Sequence, residues 1–178
     1  MRKGRTVFLV SGPAGVGKST TSKELAKTLN FSAYISGDYV SHMHIGGRQK
    51  PWENKDETSL KWENILSLTR NFINYGNDVV IDSVTFPLEA TWLQEKLKEF
   101  GVTVKYVVLW TDKKTLVNRD NMRKEEHRMG ERCLTLVDEF SNSELDKKHL
   151  LDTSQKTTND MTYIINEIIN NKRYNLNC

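Results

Sequence analysis

Apolar residues in this chain fall into two alternating kinds of run. Short, nearly continuous runs occur at 5–10 (RTVFLV), 78–82 (DVVID) and 102–110 (VTVKYVVLW), with weaker ones at 32–36 (SAYIS) and 148–152 (KHLLD). Runs of this length, rich in Val, Ile and Leu, read as strands buried on both faces. Between them the apolar positions recur at helical spacing. Leu25, Ala26 and Leu29 share a face of 19–29, and Leu60, Ile65, Leu68, Phe72 and Ile73 form a stripe across 57–75. The segment 87–100 opens with Pro87 in its first turn and stops at Gly101, as a helix should. Thr157 and Asp160 make a capping box ahead of Met161, Ile164, Ile165, Ile168 and Ile169. The tail 171–178 reads as frayed. Strands alternating with helices predict an α/β domain with a mostly parallel sheet covered on both sides. The 178 residues suit one domain.

Two polar intervals, 39–56 and 113–148, interrupt this alternation. Ligands of such sheets bind outside the carboxyl ends of the strands, so these intervals are where substrate binding and closure are expected. Composition narrows the partners. A formal charge of +3 with no long basic run argues against a nucleic-acid surface, while a local Lys/Arg cluster could still serve a small anion. Cys133 and Cys178 form neither a disulfide framework nor a metal-ligand pattern, so free thiols are expected. No apolar run is long enough to span a bilayer and no signal-peptide pattern opens the chain. A cytoplasmic protein without membrane contact is expected, as a monomer or weak dimer.

The first strand runs into Gly12-Pro13-Ala14-Gly15-Val16-Gly17-Lys18-Ser19, which fits Gly-x4-Gly-Lys-Ser/Thr. A strand before this loop and a helix after it are the setting in which backbone N–H groups cradle nucleotide phosphates. Gly12, Ala14, Gly15, Val16, Gly17, Lys18, Ser19 and Thr20 are therefore expected to bind ATP or ADP, with Lys18 on the β/γ-phosphates and Ser19 on Mg²⁺.

Two carboxylates follow strands: Asp38 in Ser36-Gly37-Asp38-Tyr39, and Asp82 at the end of 78–82. Phosphoryl transfer needs one group to position or deprotonate the attacking hydroxyl and acidic groups to arrange the metal. Asp38 is the candidate for the first task and Asp82 for the second; an Asp in such a place can equally be a helix cap or turn residue. Arg119 and Arg123 are four apart and share a helical face, and Arg128 and Arg132 repeat that spacing. Their guanidinium forks suit a segment that closes over phosphate oxygens; paired with Asp120, Glu125, Glu126 and Glu131, they would instead be solvated charges. Thr111 or Asp112 caps that helix. His42 and His44 are read as a wall of the acceptor pocket or as solvated residues, and Trp52 could face the same pocket.

With these residues in hand the chain resembles the small P-loop kinases grouped around nucleoside monophosphate, gluconate and shikimate kinases. It looks closest to the branch of zeta-toxin-like, chloramphenicol phosphotransferase-like and polynucleotide kinase-like proteins. The likeness runs from Thr6 to about Ile169 and is carried by the phosphate loop, Gly37-Asp38, the segment 79–86 and the arginines. It implies the three-layer P-loop nucleoside triphosphate hydrolase fold, with a five-stranded parallel sheet in the order 2-3-1-4-5 and a helical lid. It places Asp38 on the catalytic aspartate and Arg119 and Arg123 where the lid begins, with Arg128 a further candidate. It sets Thr153, in Leu151-Asp152-Thr153-Ser154, beside the adenine. One kinase domain, 1–178, is thus expected, with an acceptor segment at 39–76 and a lid at 112–146. Ser36 stands two before Asp38, and the third strand ends in Asp82-Ser83 rather than a glycine run; both depart from shikimate kinases. The implied reaction is transfer of the ATP γ-phosphoryl group to a hydroxyl or phosphate of a small polar molecule. A kinase of nucleic-acid ends and a nucleotide hydrolase or regulatory ATP-binding module stay open beside it.

Overall fold

Strands β1 (Thr6–Ser11), β2 (Ser32–Ser36), β3 (Asp78–Asp82), β4 (Thr103–Trp110) and β5 (Leu150–Asp152) hydrogen-bond in the order β2-β3-β1-β4-β5, every neighbour parallel. The computed structural model describes residues 4–122, 125 and 128–176. Seven α-helices accompany the sheet among these residues: α1 (Lys18–Thr28), α2 (Gly37–His42), α3 (Lys55–Asn74), α4 (Pro87–Leu97), α5 (Lys113–Asn121), α6 (Glu131–Ser141) and α7 (Met161–Asn170). The expected strand order and three-layer architecture are therefore those observed. No described helix is long and apolar enough to cross a membrane.

Register explains why the strands read as unbroken apolar runs. Val7 lies opposite Val79 and Val104, and Leu9 opposite Ile81 and Tyr106, so like faces line up across the sheet. These residues pack with Trp62, Ile65 and Leu66 of α3 and Leu93 and Leu97 of α4. The alternate set, Phe8, Val10, Val80, Val107 and Leu109, packs with Leu25 of α1, Leu136 of α6 and Ile164 and Ile168 of α7. Positions 7–10 of β1 are thus committed to one core or the other, and each buried aliphatic side chain contributes roughly 1.5–3 kcal/mol.

Four expectations are corrected. The inner face of α3 is Trp62, Ile65, Leu66, Thr69 and Ile73, whereas Leu60 and Phe72 are 43% and 37% exposed. The interval 39–56 begins with the short helix α2, because the Ser36 hydroxyl accepts from the Tyr39 N–H and starts a turn. The interval 113–148 contains a second amphipathic helix, α6, which buries Cys133, Leu136, Val137 and Phe140. The chain from Asn171 is not frayed as far as it is described. Tyr174 is fully buried, Asn175 bridges antiparallel to Lys105, and the Leu176 N–H donates to Val104 O at 2.9 Å. Lys105 draws this end in: its buried ammonium donates to Ile168 O, Ile169 O and Asn171 O at 3.1, 2.6 and 3.0 Å, capping the last carbonyls of α7. Two caps appear as expected, Asp112 on α5 and the Thr157–Asp160 box before α7.

Candidate active site

The loop between β1 and α1 is shaped by glycines at specific points. A Cβ on Gly12, whose φ is 133°, would stand 2.3 Å from Leu109 O, so only glycine lets the loop leave the sheet this close to β4. Gly17 is left-handed at φ 104° and caps α1, and a Cβ there would meet nothing within 4 Å. Ala14 and Val16 are buried and anchor the loop to the core, while Ser19 and Thr20 are exposed at the start of α1. The Lys18 ammonium curls back over the loop to donate to Pro13 O at 2.9 Å.

The loop forms one wall of a cleft of about 840 Å³ that also takes in Asp38, Asp82, Arg119 and Thr153. Asp82 ends β3 and is buried; the Tyr34 hydroxyl donates to its Oδ2 at 2.7 Å. Burial, then the bond to Asp82, holds that hydroxyl far above the ordinary tyrosine range, so Tyr34 stays a donor. Ser19 and Asp82 supply oxygen donors of the kind a hard cation prefers, a hydroxyl at a helix start and a buried carboxylate, beside a loop built for phosphates. The residues present therefore fit a magnesium-bound nucleotide.

Asp38 lies in the first turn of α2 and opens into the cleft. The helix cap is the Ser36 hydroxyl, so Asp38 does not have that task. No described group hydrogen-bonds its carboxylate. A Cβ on Gly37 would stand 2.5 Å from Ser83 Oγ, and this close approach is what seats Asp38 beside the end of β3.

The arginines separate. Arg119 is half-buried and its guanidinium donates to Val16 O, Thr153 Oγ1, Thr153 O and Lys156 O at 3.4, 3.2, 2.7 and 3.0 Å. It ties the phosphate loop to the turn after β5. Thr153 is buried, its N–H and hydroxyl both directed to Trp110 O, at 2.7 and 3.1 Å. Arg128 is exposed, donates to Asn121 O at 3.0 Å and does not line the cleft. Arg123 lies outside the described residues. Arg132, on α6, does face the cleft; it pairs with Glu139 at 2.6 Å and its guanidinium sits 5.4 Å from the Trp52 ring centre. Asp120 accepts the N–H groups of Met129 and Gly130, fixing the turn into α6.

Sequence reasoning missed Lys61. It stands on α3 and projects into the cleft, its ammonium 3.5 Å from Ser83 Oγ and 5.1 Å from the Trp62 ring centre. Burial holds the ammonium below the ordinary lysine range, with Glu89 and Asp38 acting in the opposite sense. Arg48 also faces the cleft, held by Ser41 O and Ser41 Oγ at 3.1 and 3.2 Å. The loop carrying it is pinned to α3 by Glu57, which engages His44 Nδ1 at 3.0 Å and the Gln49 N–H at 3.3 Å. His42 donates through Nδ1 to Asp38 O at 2.6 Å, one turn back on its own helix.

Residues 7–138 match a family model described as an AAA domain. No curated protein sequence matches the chain. Among solved structures, a sugar kinase from Janibacter sp. HTCC2649 superposes with a TM-score of 0.69 at 13% identity, over 96% of this chain and 97% of that one. A gluconokinase from Sinorhizobium meliloti 1021 gives 0.65 at 17%, over 94% and 90%. The Mycobacterium tuberculosis APS kinase, solved with AMPPNP and APS, gives 0.66 at 15%, over 93% and 98%. The likeness at these identities is one of fold, and the fold is the one expected of the small P-loop kinases.

Proposed function

The chain belongs to the AAA domain family, and from that premise we propose that it is an ATP-dependent kinase acting on a small polar molecule. The observation that carries this reading is Asp38, a carboxylate with no described hydrogen-bond partner, opening into the same cleft as Lys18 and the phosphate loop. A nucleotide-binding switch has no use for a base there; a phosphoryl transferase does. The fold likeness to a sugar kinase, a gluconokinase and an APS kinase supports the same class.

In this reading the loop N–H groups from Gly15 to Thr20 hold the ATP phosphates, and Lys18 leaves Pro13 O for the β/γ-oxygens. Ser19 and Asp82 would hold magnesium, which would supply neutralisation of the phosphate charge. Arg119 and Thr153 shape the base end of the cleft. Asp38 orients the acceptor hydroxyl. The acceptor oxygen bonds to the γ-phosphorus as the bond to the β,γ-bridging oxygen breaks. ADP leaves with that electron pair, and the acceptor proton passes to Asp38. In a loose transition state the proton leaves late, so positioning is most of the contribution of this carboxylate. Arg132, with the rest of 112–146, closes on the phosphates, and 39–76 receives the acceptor.

The test is ATP consumption against sugars, sugar acids, nucleosides, aminoglycosides and 5′-hydroxyl oligonucleotides, each compared with no acceptor. Acceptor-dependent ADP release that Lys18→Ala abolishes is the expected result. Equal ADP release with and without every acceptor would establish a hydrolase instead, and phosphorylation of the oligonucleotide alone would establish a nucleic-acid kinase.

A further inference from the structure

The cations of the cleft fall into two groups by what neutralises them. Lys50 has Glu53 at 3.1 Å and Arg132 has Glu139 at 2.6 Å. Arg119 is surrounded by carbonyl and hydroxyl oxygens, Lys156 lies over the Tyr163 ring at 4.3 Å from its centre, and Lys18 belongs to the phosphate loop. Lys61 and Arg48 differ. Neither has a carboxylate within 4.0 Å among the described residues, and the one hydrogen bond of Lys61 is to a neutral hydroxyl at 3.5 Å. The nearby acids are otherwise engaged. Glu57, close enough to Arg48 for their charges to interact, is held by His44 Nδ1 and the Gln49 N–H. Glu89 Oε2 accepts from the Phe86 N–H at 2.8 Å in the capping box of α4, and Asp38 is the carboxylate reserved for the acceptor hydroxyl.

Holding a part-buried ammonium with no counter-ion in contact is costly, and a ligand that brings an opposite charge recovers the cost. Ser41 grips Arg48 through Nε and Nη2, fixing the plane of the guanidinium so that its remaining edge suits an oxyanion. The two cations line the cleft together with Asp38 and come from segments other than the phosphate loop: Arg48 from the loop after α2, Lys61 from α3.

We infer that the acceptor carries an oxyanion of its own, a carboxylate or a phosphate, which Lys61 and Arg48 bind while Asp38 takes its hydroxyl. This rests on the kinase reading above and narrows it, from any small polar molecule to hydroxy acids and phosphorylated alcohols. Neutral sugars, nucleosides and amino sugars bearing net positive charge are excluded as good acceptors, since they would leave both cations unpaired.

The experiment fills the nucleotide half first. Protein saturated with magnesium and AMPPNP is titrated calorimetrically with two matched pairs, D-gluconate against D-glucitol and glycerol 3-phosphate against glycerol. Inorganic phosphate serves as the minimal anion. At least one anion is expected to bind tenfold or more tightly than its neutral twin, and which pair shows the preference tells carboxylate from phosphate. Lys61→Met and Arg48→Met should each reduce that preference at least fivefold and leave the AMPPNP affinity within twofold. The conservative Lys61→Arg should restore part of it, and a merely structural lysine would not behave so. Neutral twins binding as tightly as the anions, no binding by any anion, or a preference that survives both variants would overturn the inference. AMPPNP failing to bind is a different failure, and would overturn the kinase reading itself.

Discussion

On the proposed reading the cleft has a nucleotide half and an acceptor half, and the two are built on opposite plans. In the nucleotide half the polar groups answer one another: Lys18 lies on Pro13 O, Arg119 on Val16, Thr153 and Lys156, and Tyr34 on Asp82. Its shape comes from backbone, with Gly12 pressed against Leu109 and Gly17 in a left-handed turn. In the acceptor half the groups are side chains of separate segments, and Asp38, Lys61 and Arg48 have no ion pair among the described residues. The first half is preorganised for a ligand it can hold with main-chain N–H groups; the second is completed only by its ligand. Preorganisation lowers the cost of binding and of charge development. Unpaired groups supply discrimination, because a ligand lacking the complementary charge covers them and leaves them unsatisfied.

The largest expected effect tests the first half. Lys18→Ala should lower kcat/KM by roughly 10³-fold, since it removes a charge aimed at the transferring phosphoryl group. Its thermal midpoint should stay near that of the parent, because the bond from Lys18 to Pro13 O is a part-buried contact within the loop itself. Near-normal turnover in the purified variant would remove the nucleotide assignment. Asp38→Asn tests the second half at nearly constant shape. We expect kcat to fall roughly 10²-fold or more with nucleotide affinity unchanged. Turnover within a few-fold of the parent would make Asp38 a residue without chemistry, and the contrast between the halves would lose its main support.

Arg119→Lys probes whether the pairing inside the nucleotide half matters for binding. A lysine keeps the charge and cannot reach Val16, Thr153 and Lys156 together. Losing one or two such bonds costs about 1–3 kcal/mol, felt as stability of the unliganded protein and as weaker ATP binding, with kcat for a saturated enzyme little changed. A fall in kcat at saturating ATP, with KM constant, would instead put this guanidinium on the transferring phosphate.

How much of this was legible in the sequence depended on whether the signal was contiguous. The phosphate loop is eight residues in a row after a strand, and the strand order came with the resemblance those residues support. Helix α6 was legible and overlooked: Cys133, Leu136, Val137 and Phe140 have the spacing of one helical face, hidden among Arg and Glu. Lys61 was not legible. On α3 it has the appearance of any solvent-facing lysine, and only the fold brings Ser83, 22 residues away, beside it. Arg119 was visible as a cation on a helix, but its partners lie up to 103 residues off in sequence, so spacing could not say which oxygens it reaches. Tyr174 in the tail is one aromatic among polar residues, and its burial follows from Lys105 capping α7, which no local pattern encodes.

The smallest effect expected on turnover concerns the pair Tyr34 and Asp82. Tyr34 and Asp82 come from the adjacent strands β2 and β3, and the hydroxyl donates to a carboxylate that is itself buried. Tyr34→Phe removes the donor and keeps the ring that packs against the core. Without ligand, Asp82 then lacks that partner, which should cost about 1–3 kcal/mol and lower the thermal midpoint. If the carboxylate belongs to the nucleotide half, saturating magnesium and ADP should return much of that loss, because the cation replaces the hydroxyl as its partner. ADP with EDTA should not. If Asp82 only braces β2 against β3, variant and parent should gain equally from magnesium and ADP, and the gap in midpoint should persist. Differential scanning calorimetry under the three conditions separates these outcomes. Equal gain would move Asp82 out of the nucleotide half and leave Ser19 as the protein donor to the metal.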